Sequence, residues 1–583
     1  MPVYLLQQAE TWIEPEADGE KKRQKLFAEI DAFGIENRSR VSKLKKFLES
    51  REIWHLEELD YSLRSSYEQY LRGHISSRNI PGYLNVYDQV KQQHIYQQMQ
   101  TLNGKRLYDW RYQNQIYFLK YYPVKEIAEN FKTTYNKELL VWDFGKSCSE
   151  ILKKQIFYTM SHIITNTSVS TVYRNIRLKA LKILYDSCVR LNITDIGLME
   201  KNQVETVLRN FSKANQRSGS IIDECRKDAF MQQEQIQWNA NVWYLERLHL
   251  GKHRVDESKS LKSISFMEVQ NQQNREILQA YMKYELGVTG QAVSTIVRRF
   301  IFVRNFIEML EQEKILVTEA TAENVKTYAD DLLKREIQAK GFNERIFGIG
   351  HFYKFMEVRQ YIKKVPFRIE YFQQKEVLVH HDRSVEETVY MEILKKLYLF
   401  PERLRCMFLH LWCLGLRASE VCTLKGNAYY QKNGDYWIQV YQVKMKNYKR
   451  IPIPQALYEI MKIYLEKYEI QPEDYIFQNI KGGACLYNTF RHQMLNACKE
   501  NKIAGGEYIF RSHDYRHTVA TILYDSEVSV QSIRDYLGHT YEEMTRQYID
   551  YMPKKIAQAN EEFFEMQGSS LVSCLKERKE DGK

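Results

Sequence analysis

Prolines are so scarce in this chain, ten in 583 residues alongside 24 glycines, that most of it has nothing to interrupt a helix. Such sparing use of the two breakers predicts a mainly helical molecule with few long loops. A chain of this length exceeds what a single hydrophobic core serves, so three or four domains are expected. Lys and Arg outnumber Asp and Glu by 85 to 74, a net charge of +11, which tilts the choice of partner toward a polyanion without fixing it. Nine cysteines are scattered from Cys148 to Cys574 with no Cys-x-x-Cys, a pattern of buried thiols in a reducing compartment rather than of disulfides or a zinc site. The first twenty residues turn acidic before any long apolar run, unlike a signal peptide, and the longest apolar stretch, Met407 to Leu416, is too short to span a bilayer. A soluble, cytoplasmic protein with no membrane partner is the expectation.

Residues 1–145 are polar, tyrosine-rich and helix-like, and carry no recognisable chemistry. A second helical region, 146–265, runs through Ile176 to Leu184 with apolar residues at helical spacing, and could bind DNA or a partner. It ends in Gly251 to Ser265, charged and serine-containing, a linker by composition. Residues 268–368 predict a compact domain of four or five helices. There, Thr321-Ala-Glu-Asn-Val325 opens one helix, while Phe347 to Phe355 forms another that Val365-Pro366-Phe367 stops. The last domain, 380–566, should start its first helix at Ser384-Val-Glu-Glu387, which has capping-box spacing. Its strand formers, Tyr436 to Val443, turn at Lys446-Asn447 and return as Lys449 to Ile453, giving a small antiparallel sheet in an α+β domain. Residues 567–583 are a polar tail.

The chemistry gathers in that last domain. Gly-Leu-Arg417-Ala-Ser-Glu420 is followed by His513-Asp-Tyr-Arg516-His517, then Leu-Gly538-His539, then Tyr548. Fixed cations in this order could surround one phosphate while a phenol attacks it, because charge accumulates on the equatorial oxygens during displacement. Arg417, set among apolar neighbours, needs an anion; a structural ion pair to Glu420 is the plain alternative to phosphate. His513, Arg516 and His517 share a helical face. The His-x-x-x-His spacing could hold zinc, but Arg516 between the two would repel the cation and no third ligand is evident. Lys444, on the hairpin, could protonate a leaving alkoxide, whereas most of its neighbours Lys446, Lys449 and Arg450 read as solvated phosphate contacts. Tyr548 needs nearby positive charge to act as a nucleophile, and Tyr551, one turn on, is its rival.

Together these residues resemble the tyrosine recombinases, the integrases of the phage-integrase type, over about 380–560, with 268–368 looking like their SAM-like helical core-binding domain. The resemblance implies a multidomain C-shaped clamp on double-stranded DNA. It implies that Arg417, Arg516 and His539 hold the scissile phosphate, that His513 helps accept the phenolic proton, and that Lys444 protonates the departing 5′ oxygen. Tyr548, nine residues after His539, would form a 3′-phosphotyrosyl bond, with Glu420 and His517 orienting these groups. Lys446 is the alternative register for the hairpin lysine. No metal or nucleotide cofactor is implied. The partners implied are attachment or element-end DNA sites and further copies in a homo-tetramer, or a partner recombinase. The apolar stripe Ile556, Ala559, Phe563 and Phe564 would pack on a neighbour or on its own domain. The length before residue 268 looks like the long recombinases that act as transposases of integrative elements. A type IB topoisomerase-like enzyme and a DNA-binding accessory subunit without catalysis are the rival readings.

Overall fold

The computed structural model describes residues 15–134, 136–211, 219–376, 383–442, 445–539 and 545. The chain divides between Tyr244 and Leu245 into two compact units. It is mainly helical with small antiparallel sheets, as the breaker-poor sequence predicts. Among the described residues no helix is long and apolar enough to cross a membrane.

Among the described residues of the first unit, apolar side chains gather in two cores. One gathers Leu44, Phe47, Tyr67, Leu84 and Tyr87 from the helices Arg38–Ser50, Tyr61–Arg72 and Ile80–Gln98. The other gathers Trp142, Phe144, Ile156, Leu181 and Tyr185, beside the short pair of strands Ile116–Phe118 and Val141–Asp143. Helix starts here follow local chemistry. Ser170 caps Thr171–Arg190 by accepting from the Tyr173 N–H, and Glu200 with Gln203 closes a capping box on Lys201–Arg209.

The second unit opens with the segment that composition marks as a linker, and the structure corrects that reading. Arg254 is buried and donates to three main-chain carbonyls, Gln291 (2.9 Å), Leu286 (2.7 Å) and Glu285 (3.2 Å). Four residues later the Ser258 carbonyl accepts from Tyr487 N–H at 2.8 Å. A charged stretch stays docked when its one arginine finds the open carbonyls at a helix C-terminus.

Four helices follow, Gln272–Gly287, Val293–Gln312, Ala322–Lys334 and Ala339–Val358, the third opened by the Thr321–Asn324 capping box. The fourth ends at Val358, not at Pro366. Gln360 takes a left-handed conformation (φ 61°), letting its N–H reach Glu357 O and the Tyr361 N–H reach Met356 O. This pattern seals the last carbonyls without a proline, and with glutamine in the place glycine usually takes it leaves little trace in the sequence.

In the last region the first helix runs Glu387–Lys396 with Glu386 at its cap, so Ser384 is not the capping residue expected. Instead Ser384 Oγ lies 3.2 Å from Thr521 Oγ1, and Val385 N–H donates to Thr518 Oγ1 at 2.8 Å. The start of the region is thereby tied to the helix Ser512–Asp525. A three-stranded antiparallel sheet, Tyr429–Lys432, Asp435–Gln442 and Asn447–Pro452 in that order, packs with the helices on one core containing Leu411, Leu416, Val421, Ile438, Ile451 and Phe490. The strand Tyr429–Lys432 went unread in the sequence.

A candidate phosphate-binding site

The site begins where the helix Glu402–Leu414 stops. Gly415 takes a left-handed conformation (φ 56°), turning the chain so that Arg417 becomes the cap of the short helix Ala418–Cys422. Glu420 is the third residue of that helix, and its carboxylate folds back on the cap. Oε2 accepts from the Arg417 N–H at 2.9 Å and Oε1 from Arg417 Nη1 at 2.8 Å. The ion pair weighed as the plain alternative is therefore made. It does not seal the arginine, whose side chain is 16 % exposed while that of Glu420 is 2 % exposed.

Arg516 enters from the helix Ser512–Asp525 and is completely buried. Its guanidinium donates to Gly415 O at 2.7 Å and to Leu537 O at 2.5 Å. Both acceptors lie at helix C-termini, where unsatisfied carbonyls carry partial negative charge, so the cation is held without using up a carboxylate. One turn back, the His513 ring stands 5.3 Å from that of His517.

The third piece is the end of Val530–Leu537. Gly538 closes that helix with φ 70°, and a Cβ there would lie 2.5 Å from Gln442 Nε2, so another residue would strain the left-handed backbone and push the Gln442 amide aside. His539 follows, buried, with Nδ1 3.0 Å from Thr545 Oγ1.

The sheet supplies what the sequence reading missed. Lys449, read with its neighbours as solvated, is 7 % exposed, its Nζ 3.6 Å from Glu420 Oε2 and 3.4 Å from Leu537 O. Gln442 Nε2 donates to Glu420 Oε1 at 3.1 Å. Strand parity held the signal: Lys449 is two residues before the core residue Ile451 and pairs with buried Val440, so it must face inward.

Three cations, Arg417, Arg516 and Lys449, thus share one buried carboxylate. Burial works to raise the Glu420 carboxyl, yet the fields of Lys449, Arg516 and Arg417 prevail and hold it down to about 2. Burial pushes the Lys449 ammonium down to about 8, with Glu420 pulling the other way. His539 falls to about 3 and His513 to about 4, first through burial and then through the surrounding cations, Arg516 and Arg417 among them in both cases. At neutral pH the pocket presents two neutral imidazoles and a surplus of fixed positive charge, the electrostatic form of an anion site.

The fold therefore brings Arg417, Glu420, His513, Arg516, His517 and His539 into one neighbourhood. Lys444, Tyr548, Tyr551 and the stripe from Ile556 to Phe564 lie outside the described residues. Lys446 points elsewhere, donating to Gly290 O at 2.9 Å. Among the described residues no cluster of three or more His, Cys, Asp or Glu could hold a metal.

Comparison with known proteins finds relatives for part of the chain. The chain is 26 % identical over 321 residues to transposase B from transposon Tn554 of Staphylococcus aureus, covering 54 % of this chain and 51 % of that protein. It thus spans about half the length of the curated relatives it matches first. It is 24 % identical over 257 residues to the tyrosine recombinase XerC of Anoxybacillus flavithermus, covering 42 % of this chain and 83 % of that one. Among solved structures, XerH site-specific recombinase bound to palindromic difH substrate aligns at 15 % identity and a TM-score of 0.39, over 51 % of this chain and 90 % of that chain. Residues 383–555 match the phage integrase family, and the similarity to tyrosine recombinases and integrases extends over about half of the chain.

Proposed function

We propose that this protein cuts and rejoins duplex DNA through a 3′-phosphotyrosyl intermediate, as the recombinase of a mobile element. The observation that carries the reading is the convergence of Arg417, Arg516 and His539 around a single buried carboxylate, with His513 within the field of both arginines. A phosphodiester is the anion such a surplus suits, and two arginine forks stabilise its equatorial oxygens best when those oxygens gain charge.

In this mechanism Arg417 and Arg516 clamp the scissile phosphate and His539 adds a donor. His513, neutral at physiological pH, helps take the proton of the Tyr548 phenol as it attacks phosphorus. Lys444 delivers a proton to the departing 5′ oxygen. The phosphotyrosyl bond conserves the phosphodiester's energy, so a 5′-hydroxyl from a partner strand can reverse the step without a nucleotide cofactor. The four-helix block and the last domain form a C-shaped clamp on the duplex, and the active assembly is a tetramer on two element-end sites in the cytoplasm.

The deciding experiment uses a suicide duplex nicked beside the exchange point. Wild-type protein should become covalently joined to it, and no adduct would leave only a DNA-binding accessory role. Efficient relaxation of a supercoiled plasmid lacking element ends would favour a topoisomerase instead.

A further inference from the structure

The strand-transfer reading assigns no task to Lys449, yet its position is hard to explain by folding alone. By strand parity the residue sits in a row with Ile451, opposite Val440, where an aliphatic side chain would pack without any desolvation cost. Its ammonium is instead buried between the Glu420 carboxylate, at 3.6 Å, and the Leu537 carbonyl, at 3.4 Å. These two acceptors belong to the two halves of the site. Glu420 anchors Arg417 through its guanidinium and its N–H. The Leu537 carbonyl, also gripped by Arg516, ends the helix from which Gly538 and His539 continue. One cation therefore spans the gap between the piece that carries Arg417 and the piece that carries His539.

Charge points the same way. Paired with Glu420 alone, Arg417 would be neutralised by its own anchor, for Arg516 reaches the carboxylate through its field while its hydrogen bonds go to the Gly415 and Leu537 carbonyls. With Lys449 supplying a second counter-charge, the carboxylate can fix Arg417 in place while the pair's net charge stays positive.

We propose that Lys449 is a positioning residue for strand transfer, setting the separation of Arg417 and His539 and keeping the Arg417 charge available to the phosphate. It acts through Glu420 and the Leu537 carbonyl and does not deliver the proton to the leaving oxygen. This rests on the strand-transfer reading.

The test is single-turnover cleavage of the nicked suicide duplex, with DNA affinity measured in parallel, on the full chain. Lys449→Met should slow cleavage about 50-fold with affinity changed less than about threefold, and Lys449→Arg should recover most of the rate. The defect should be equal on a substrate whose scissile 5′ oxygen is replaced by sulfur, which leaves without protonation. The double variant Glu420→Gln with Lys449→Met should be no slower than Glu420→Gln alone, since both changes break one link. Cleavage by Lys449→Met at the wild-type rate overturns the proposal. So does rescue of Lys449→Met by the sulfur substrate, which would make Lys449 the proton donor. If Lys449→Met does not fold, Lys449→Arg decides: a folded Lys449→Arg protein with fully additive loss against Glu420→Gln also overturns it. A wild-type protein that forms no adduct is a different failure, because it removes the strand-transfer reading and this inference with it.

Discussion

Two arginines that each grip a buried carboxylate, one in each unit, look alike at first and mean different things. In the first unit Arg64 grips Asp88 through two hydrogen bonds, at 2.6 and 2.9 Å, and Tyr121 donates to the same carboxylate at 2.9 Å. The guanidinium and the carboxylate meet fork to fork, with the buried Lys120 near enough for its charge to be felt by both, and the result is a hydrogen-bonded strut between the helices Tyr61–Arg72 and Ile80–Gln98. In the second unit Glu420 faces Arg417, Arg516 and Lys449. A matched pair completes its own electrostatics. A carboxylate outnumbered by cations leaves a field that something else must answer, and burying such a surplus is too costly to be kept for folding alone.

The sharpest way to break this comparison is to remove the group that the surplus charge would activate. Tyr548→Phe should abolish the covalent adduct while DNA binding, read by gel shift, stays near wild type; loss of the adduct in Tyr551→Phe instead would move the nucleophile. Next in size, Arg516→Ala should slow cleavage about 1,000-fold, the scale of losing a preorganised donor to a developing oxyanion. Arg64→Met, by contrast, should leave the cleavage rate per folded molecule unchanged and show in urea denaturation as a loss of about 3 kcal/mol, from stranding Asp88. An Arg64→Met protein that is stable but cleaves slowly would erase the distinction.

The smallest effect is a pH dependence of the DNA-free protein. His513 and His539 sit below their ordinary value of 6.5, at about 4 and about 3, so they stay neutral in the folded chain while the unfolded chain takes up protons. Stability that is full above pH 6.5 should therefore drain as the pH falls toward 4. Glu420 adds a later loss below pH 4.5, toward about 2. Urea midpoints against pH would show it, and the double change His513→Gln with His539→Gln should flatten the upper part of the curve.

What could be read in advance depended on the range of the interaction. The Arg417–Glu420 link is a helix-cap relation three residues long, and His513, Arg516 and His517 share a face of one helix, so both could be read from spacing. Arg516's acceptors, Gly415 and Leu537, lie 101 and 21 residues away and are main-chain atoms, which no side-chain pattern announces. Lys449 was legible in principle through alternation in its strand, but a lysine in a basic hairpin reads as solvated until parity is imposed. Arg254 misled for a related reason, since composition marks charge and cannot tell that helix-end carbonyls are waiting for it.

The way Arg516 is held bears on how such a chain can change over time. Its anchors are peptide carbonyls, present whatever amino acid occupies the position, so drift in the neighbouring helices can rewrite side chains without loosening the guanidinium. Ancestry would then survive as backbone shape and a few polar landmarks long after most letters had been exchanged.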